Sequence, residues 1–288
     1  MSATWRDLDQ ESREREYSPS SCIGGNYQPF IQAYADRSRK ARTETPGRLN
    51  LQYGHEATQR LDLFVPSTAT GSTEPPPLLV FIHGGYWQEL SKDDSCFAAT
   101  DCVAQGIAYA ALDYTLAPRA SVAQIVAECR GAVNWLHANA QALGFDAQRI
   151  VVAGSSAGAH LAAMTALPGS GAAQVRAAVL VSGIYELEPL IGTSINTALG
   201  LTPRSARESS PALRDLKGFP PSIVCWGEAE TQEFKRQSLD FAAQLDAADT
   251  PCQVFEVPRR NHFDIILDLA DPQTQLGRAV TELIRSIY

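Results

Sequence analysis

Several patterns are missing from this chain of 288 residues, and each absence argues against a class of function. No apolar run reaches the length of a membrane span, so no membrane partner is expected. The formal net charge is −8 and is dispersed, which argues against nucleic acid or an anionic membrane as the main partner. The six cysteines (Cys22, Cys96, Cys102, Cys129, Cys225 and Cys252) form no CxxC pair. That spacing argues against a disulfide framework or a metal site. The opening stretch, MSATWRDLDQESRERE, lacks the apolar core of a signal peptide. A soluble, cytoplasmic protein with reduced thiols is the expectation. No internal repeat is visible.

What the chain does contain is alternation. It is 44% hydrophobic, enough for one large core, and a single domain over 1–288 is expected. RLDLFVP (60–66) alternates polar and apolar residues, as an edge strand does. Residues 67–77 read as a loop by composition. LLVFI, IAYAALDY, RIVVAGSS, VRAAVLVSG, PSIVCWG and CQVFEVP read as further strands, the first a continuous apolar run buried on both faces. Helical stretches fall between them, at 94–105, 121–143, 157–167, 233–248 and 275–287, with apolar spacings of three and four across 121–143. Strands and helices in this order give an α/β fold, a mainly parallel sheet with helices on both faces. Residues 185–216 have no strong period and read as a small cap or loop. Residues 1–45 are polar but carry Tyr17, Tyr27, Phe30 and Tyr34. They are expected to form an extension that covers a site, with one helix after Pro29; the alternative is an unattached tail.

In parallel α/β sheets, ligands bind beyond the carboxyl ends of the strands. One strand delivers Gly154-Ser155-Ser156-Ala157-Gly158 ahead of a helix. This G-x-S-x-G in strand–helix context is a nucleophile elbow, with Ser156 at its strained centre. Another strand delivers His83-Gly84-Gly85-Tyr86-Trp87. A glycine pair here lets backbone N–H groups of Gly84, Gly85 and Tyr86 join that of Ala157 in an oxyanion hole. His83 is assigned a structural part, holding the loop by hydrogen bonding backbone. Trp87 and Tyr86 are either core or pocket wall on sequence grounds. A serine needs a base. Of five histidines, only His262 follows the last strand, in the chain order serine, acid, histidine. His160, one turn into the elbow helix, reads as a packing residue. The acid must follow the preceding strand, within GEAETQE, which leaves Glu228, Glu230 and Glu233 in contention.

These residues resemble the α/β-hydrolase fold, and more specifically the arylformamidase (kynurenine formamidase) group related to hormone-sensitive-lipase-type esterases. The resemblance rests on REYSPSS, HGGYW, LDYTLAP, GSSAGAH, SGIYELEPL, EFKRQS and NHFDII. In HGGYW, Tyr86 stands where the lipase-type esterases usually carry a third glycine. The resemblance implies Ser156 as nucleophile, His262 as base and the HGGYW loop as oxyanion hole. The group's acid is typically an aspartate a few residues before an E-F-x-x-Q-S run. Glu233-Phe234-Lys235-Arg236-Gln237-Ser238 sets that register and puts Glu230 in the aspartate's place, with Glu228 as the rival. The implied substrate is a small-molecule aromatic formamide such as N-formylkynurenine. Tyr86, Trp87, Tyr185 and the N-terminal aromatics are the implied aromatic pocket, with Trp87 and Tyr185 the substrate-binding candidates. No cofactor and no metal are implied, and a homodimer is admitted. The rival functions are a general short-chain carboxylesterase and a non-catalytic ligand-binding homologue.

Overall fold

The computed structural model describes residues 5–67 and 74–287. Among these, eight strands form one sheet in the order β1-β2-β4-β3-β5-β6-β7-β8. In the chain, α1 (Gln10–Glu16) and α2 (Gln28–Glu44) come first, then β1 (Gly47–Gln52), β2 (Arg60–Phe64) and β3 (Leu78–Ile82). There follow α3 (Ala99–Ala104), β4 (Ala108–Leu112), α4 (Val122–Leu143), β5 (Ile150–Ser155), α5 (Ala157–Ala166) and β6 (Ala177–Val181). Two short helices, α6 (Asn196–Leu199) and α7 (Pro203–Glu208), occupy the region 185–216. The chain closes with β7 (Ser222–Ala229), α8 (Gln232–Ala247), β8 (Cys252–Asn261) and α9 (Gln275–Ser286).

β3 to β8 run parallel; β1 and β2 are antiparallel additions at one end. The strand pleat divides β3 cleanly. Leu78, Val80 and Ile82 join the layer that holds α4, α5 and α8, while Leu79 and Phe81 join the layer of α2, α3 and α9. Burial on both faces is why the run is continuously apolar.

Two expectations need correction. The strand at 60–64 is not the edge, because β1 lies outside it. Its alternation is misleading because Asp62 is buried with no exposed side-chain surface. Asp62 accepts the Asn50 N–H at 2.7 Å and lies 3.1 Å from Arg42 and 3.2 Å from Lys92. A buried carboxylate paired in this way reads in sequence as a solvent-facing residue. Second, the helix expected at 94–105 is a 3-10 turn at Lys92–Asp94 followed by the shorter α3. Most of the loop expected at 67–77 lies outside the described residues.

Candidate active site

Ser156 sits between β5 and α5 with φ 58° and ψ −123°. Such a conformation costs a residue with a Cβ on the order of 1–3 kcal/mol and persists only where the surroundings enforce it. The Ser156 N–H donates to Val181 O at 2.9 Å, and its carbonyl accepts the Ala159 and His160 N–H groups at 3.0 and 3.2 Å. The turn is sharp enough that a Cβ on Gly154 would lie 2.1 Å from Gly158 O. A Cβ on Gly158 would lie 2.0 Å from Ile82 O. The two glycines are therefore a steric condition for the elbow.

Ser156 opens into a cavity of about 340 Å³ that His262, Gly84, Gly85 and Tyr86 also line. His262 follows β8 directly and is buried. Its Nδ1 is 2.9 Å from Glu230 Oε2, the geometry of an Nδ1–H donating to a carboxylate. The ring is edge-on to Phe234, with centroids 4.6 Å apart. The other oxygen of Glu230, Oε1, accepts from Ser182 Oγ at 2.5 Å and from the Gly227 N–H at 2.7 Å. Three donors thus surround one buried carboxylate, which stabilises its charge and fixes its rotamer.

The neighbouring glutamates are engaged elsewhere. Glu228 is exposed, and its Oε2 accepts the Arg259 N–H at 2.7 Å. Glu233, the second residue of α8, is buried. It accepts the Tyr17 hydroxyl at 2.7 Å and pairs with both Arg236 Nε and Nη2, at 2.9 and 2.8 Å.

The loop after β3 reverses the chain at three successive positive φ angles, Gly85 at 86°, Tyr86 at 49° and Trp87 at 61°. Among the described residues, the N–H groups of Gly85, Tyr86 and Ala157 donate to no protein acceptor. The LDYTLAP stretch supports this loop from below. The Tyr114 ring stacks on His83 at 4.1 Å, and its hydroxyl donates to the carbonyls of His83 and Gly84 at 3.0 and 3.2 Å. His83 Nδ1 itself donates to Gly84 O at 3.0 Å, and the Ala117 N–H reaches Trp87 O at 2.8 Å. Gly84 has no room for a side chain: a Cβ would lie 2.7 Å from Ser155 O.

Trp87 and Tyr185 do not line the cavity. Both are core residues, 0% and 1% exposed. The backbone reversal at Tyr86 and Trp87 sends the indole inward, edge-on to His160 at 5.0 Å. Tyr185 stacks flat on Phe241 at 4.2 Å, under α8. His160 Nε2 donates to Ser209 O at 2.6 Å, and burial pushes its pKa down to about 4. A neutral imidazole used in this way is a packing group.

The aromatic wall comes instead from the N-terminal segment, from the turn after His262 and from Phe97, just ahead of α3. Tyr27, Tyr34, Phe97 and Phe263 all line the cavity. Tyr27 and Phe30 stack on Phe263 at 5.4 and 5.8 Å, and Tyr34 donates its hydroxyl proton to Phe263 O. Tyr86, in the loop after β3, donates to Tyr17 O. Ser182 and Phe263 were not singled out from sequence. Ser182 directly follows β6 in VLVSG with no local pattern to mark it; Phe263 stands beside His262 in NHFD and carried a signal only in that position.

Comparison with known proteins gives three kinds of match. Residues 61–181 match the BD-FAE family model. The chain is 30% identical to the kynurenine formamidase of Salmo salar over 296 residues, covering 97% of this chain and 98% of that protein. It is 27% identical to esterase LipC of Mycobacterium tuberculosis over 245 residues, 76% of this chain and 60% of the relative. Among solved structures, a proposed thioesterase from Silicibacter sp. tm1040 superimposes with a TM-score of 0.79 at 29% identity, covering 93% of this chain and 98% of that one.

Proposed function

Since this chain belongs to the kynurenine formamidase family of α/β-hydrolases, we propose that it is a serine hydrolase that removes a small acyl group, formyl above all, from an aromatic amide of the N-formylkynurenine type. The observation that carries the reading is the grouping of residues at the elbow. Ser156 stands strained at the cavity floor, and His262 in the same cavity has its far nitrogen held by Glu230 at 2.9 Å.

In this mechanism His262 Nε2 takes the Ser156 hydroxyl proton as Oγ attacks the acyl carbon. With Nδ1–H committed to Glu230, Nε2 is the basic nitrogen, and the carboxylate stabilises the imidazolium that forms. The N–H groups of Gly85, Tyr86 and Ala157 receive the oxyanion, each worth about 3 kcal/mol where such donors have been removed in other enzymes. His262 then passes the proton to the leaving arylamine nitrogen. A water deprotonated by the same ring attacks the acyl-enzyme and releases the acid. A formyl group needs almost no acyl pocket, whereas the arylamine needs the aromatic wall of Tyr27, Tyr34, Phe97 and Phe263.

The test is a substrate screen. N-formylkynurenine and other arylformamides are expected to turn over, with fluorophosphonate labelling confined to Ser156. Equal rates on formyl, acetyl and butyryl aryl esters with no formamide cleavage would make the protein a general carboxylesterase, as the likeness to LipC allows. An unlabelled Ser156 would favour a binding protein.

A further inference from the structure

The cavity is one-sided in charge. Glu14, Glu89 and Asp94 line it, and among the described residues that line it there is no lysine or arginine. Among the described residues none of the three carboxylates has an ion-pair partner, whereas Asp93, next in sequence to Asp94, is held by Lys92 at 2.5 Å and Arg42 at 3.0 Å. Glu14 accepts from the backbone N–H and the hydroxyl of Ser194, and Asp94 accepts from Ser91 Oγ at 2.9 Å. These bonds orient the two carboxylates without neutralising them. Glu14 lies near the oxyanion loop: after burial, its charge is the second cause that pushes the Tyr86 phenol upward. A second, independent feature has the same sign. The same cavity is lined by Tyr27, Tyr34, Phe97 and Phe263, and the faces of aromatic rings attract cations.

Resting on the formamidase reading above, we infer that this cavity selects aryl substrates whose side chain bears an ammonium group and no carboxylate. A cleft lined by one sign of charge concentrates the opposite sign and rejects its own. N-formylkynurenine carries both an α-ammonium and an α-carboxylate. The first finds partners here; the second finds no cation and faces like charge. Formate, the expected acyl product, is repelled by the same field, which favours its departure.

The test uses four substrates on one skeleton: N-formylkynurenine, the same molecule without its carboxylate, the same without its ammonium, and the ketone lacking both. At low ionic strength kcat/KM is expected to rise about tenfold on removal of the carboxylate and to fall about tenfold on removal of the ammonium. Both ratios should shrink as salt is added. Glu89→Gln and Asp94→Asn should each compress the difference between the ammonium-only and carboxylate-only members. The four corresponding free arylamines, titrated by tryptophan fluorescence, report the same order without turnover. A carboxylate-only member that binds or reacts as well as the ammonium-only member overturns the inference, even if formamides are cleaved. If aryl esters with the same side chains are hydrolysed in the expected charge order while formamides are inert, the formamidase reading fails and the charge selection stands.

Discussion

Ser182 donates its hydroxyl proton to Oε1 of Glu230 at 2.5 Å, the carboxylate oxygen that does not face His262. The two residues are 48 positions apart and directly follow adjacent strands, so the bond exists only once β6 and β7 pair. In the proposed mechanism it makes Ser182 a positioning residue for Glu230. Ser182→Ala should lower kcat by roughly 10- to 100-fold, by the cost of a small misplacement in a catalytic group. KM should stay near its wild-type value and circular dichroism should be unchanged. A variant with wild-type kcat would reduce Ser182 to a strand-end residue.

Glu230 and Glu228 make a decisive pair. Glu230→Gln should reduce kcat by about 10⁴-fold through the wrong histidine tautomer. Glu228→Gln, altering an exposed group bonded to the Arg259 backbone, should stay close to wild type. Glu230→Asp is shorter by one methylene and cannot reach His262, Ser182 and Gly227 together. A loss of about 100-fold or less is expected, measured on the same aryl ester.

Tyr86 ties the loop after β3, the proposed oxyanion hole, to the N-terminal segment through a hydroxyl bonded to Tyr17 O. Tyr86→Phe should cost about tenfold in kcat with little change in KM, because the loop's N–H groups act on the transition state more than on bound substrate. Affinity for a boronate transition-state analogue should fall by the same factor; an unchanged affinity would show that the bond does not set the loop.

Gly158→Ala places a methyl 2.0 Å from Ile82 O. The elbow must open to admit it, at about 3 kcal/mol. A lowered thermal midpoint with lost fluorophosphonate labelling is the expected result. A fully stable, labelled variant would contradict the packing described for the elbow.

His160 sets a pH limit on stability. Its folded-state pKa is about 4, lowered by burial from an ordinary 6.5. Between those values the unfolded chain binds a proton that the folded chain refuses, so stability falls as pH drops through this window. The full contribution is on the order of 3 kcal/mol. Urea midpoints at about pH 7.5 and about pH 5 should differ more for the wild type than for His160→Asn. Equal differences would assign the acid sensitivity to other groups.

Ser156, His262 and the glycines around them were legible because their signals are local. A strand followed by G-x-S-x-G constrains a turn whatever the rest of the chain does, and parallel strand order places the last loop beside it. Glu230 was narrower: strand order limited the acid to three glutamates, and only the family resemblance, through the register of the E-F-x-x-Q-S run, favoured Glu230 over Glu228. Trp87 was open between core and pocket wall in the sequence, and the resemblance put both Trp87 and Tyr185 in the pocket; an aromatic near such a loop is equally suited to either place. The backbone reversal at 86–87 and the packing of Phe241 decide between these, and neither is a sequence pattern.

The sequence by itself determined the parallel α/β order, the sharp turn at Ser156, the glycine loop after β3 and the position of His262 after the last strand, since each depends on spacing within a few residues or on the order of strands. Tertiary structure alone decided the rest: that Asp62 is buried within an interior strand, that Ser182 clasps the acid, and that the N-terminal aromatics close on Phe263. These contacts join segments tens to hundreds of residues apart. Their worth depends on desolvation and geometry, which a linear pattern does not encode until the chain has packed.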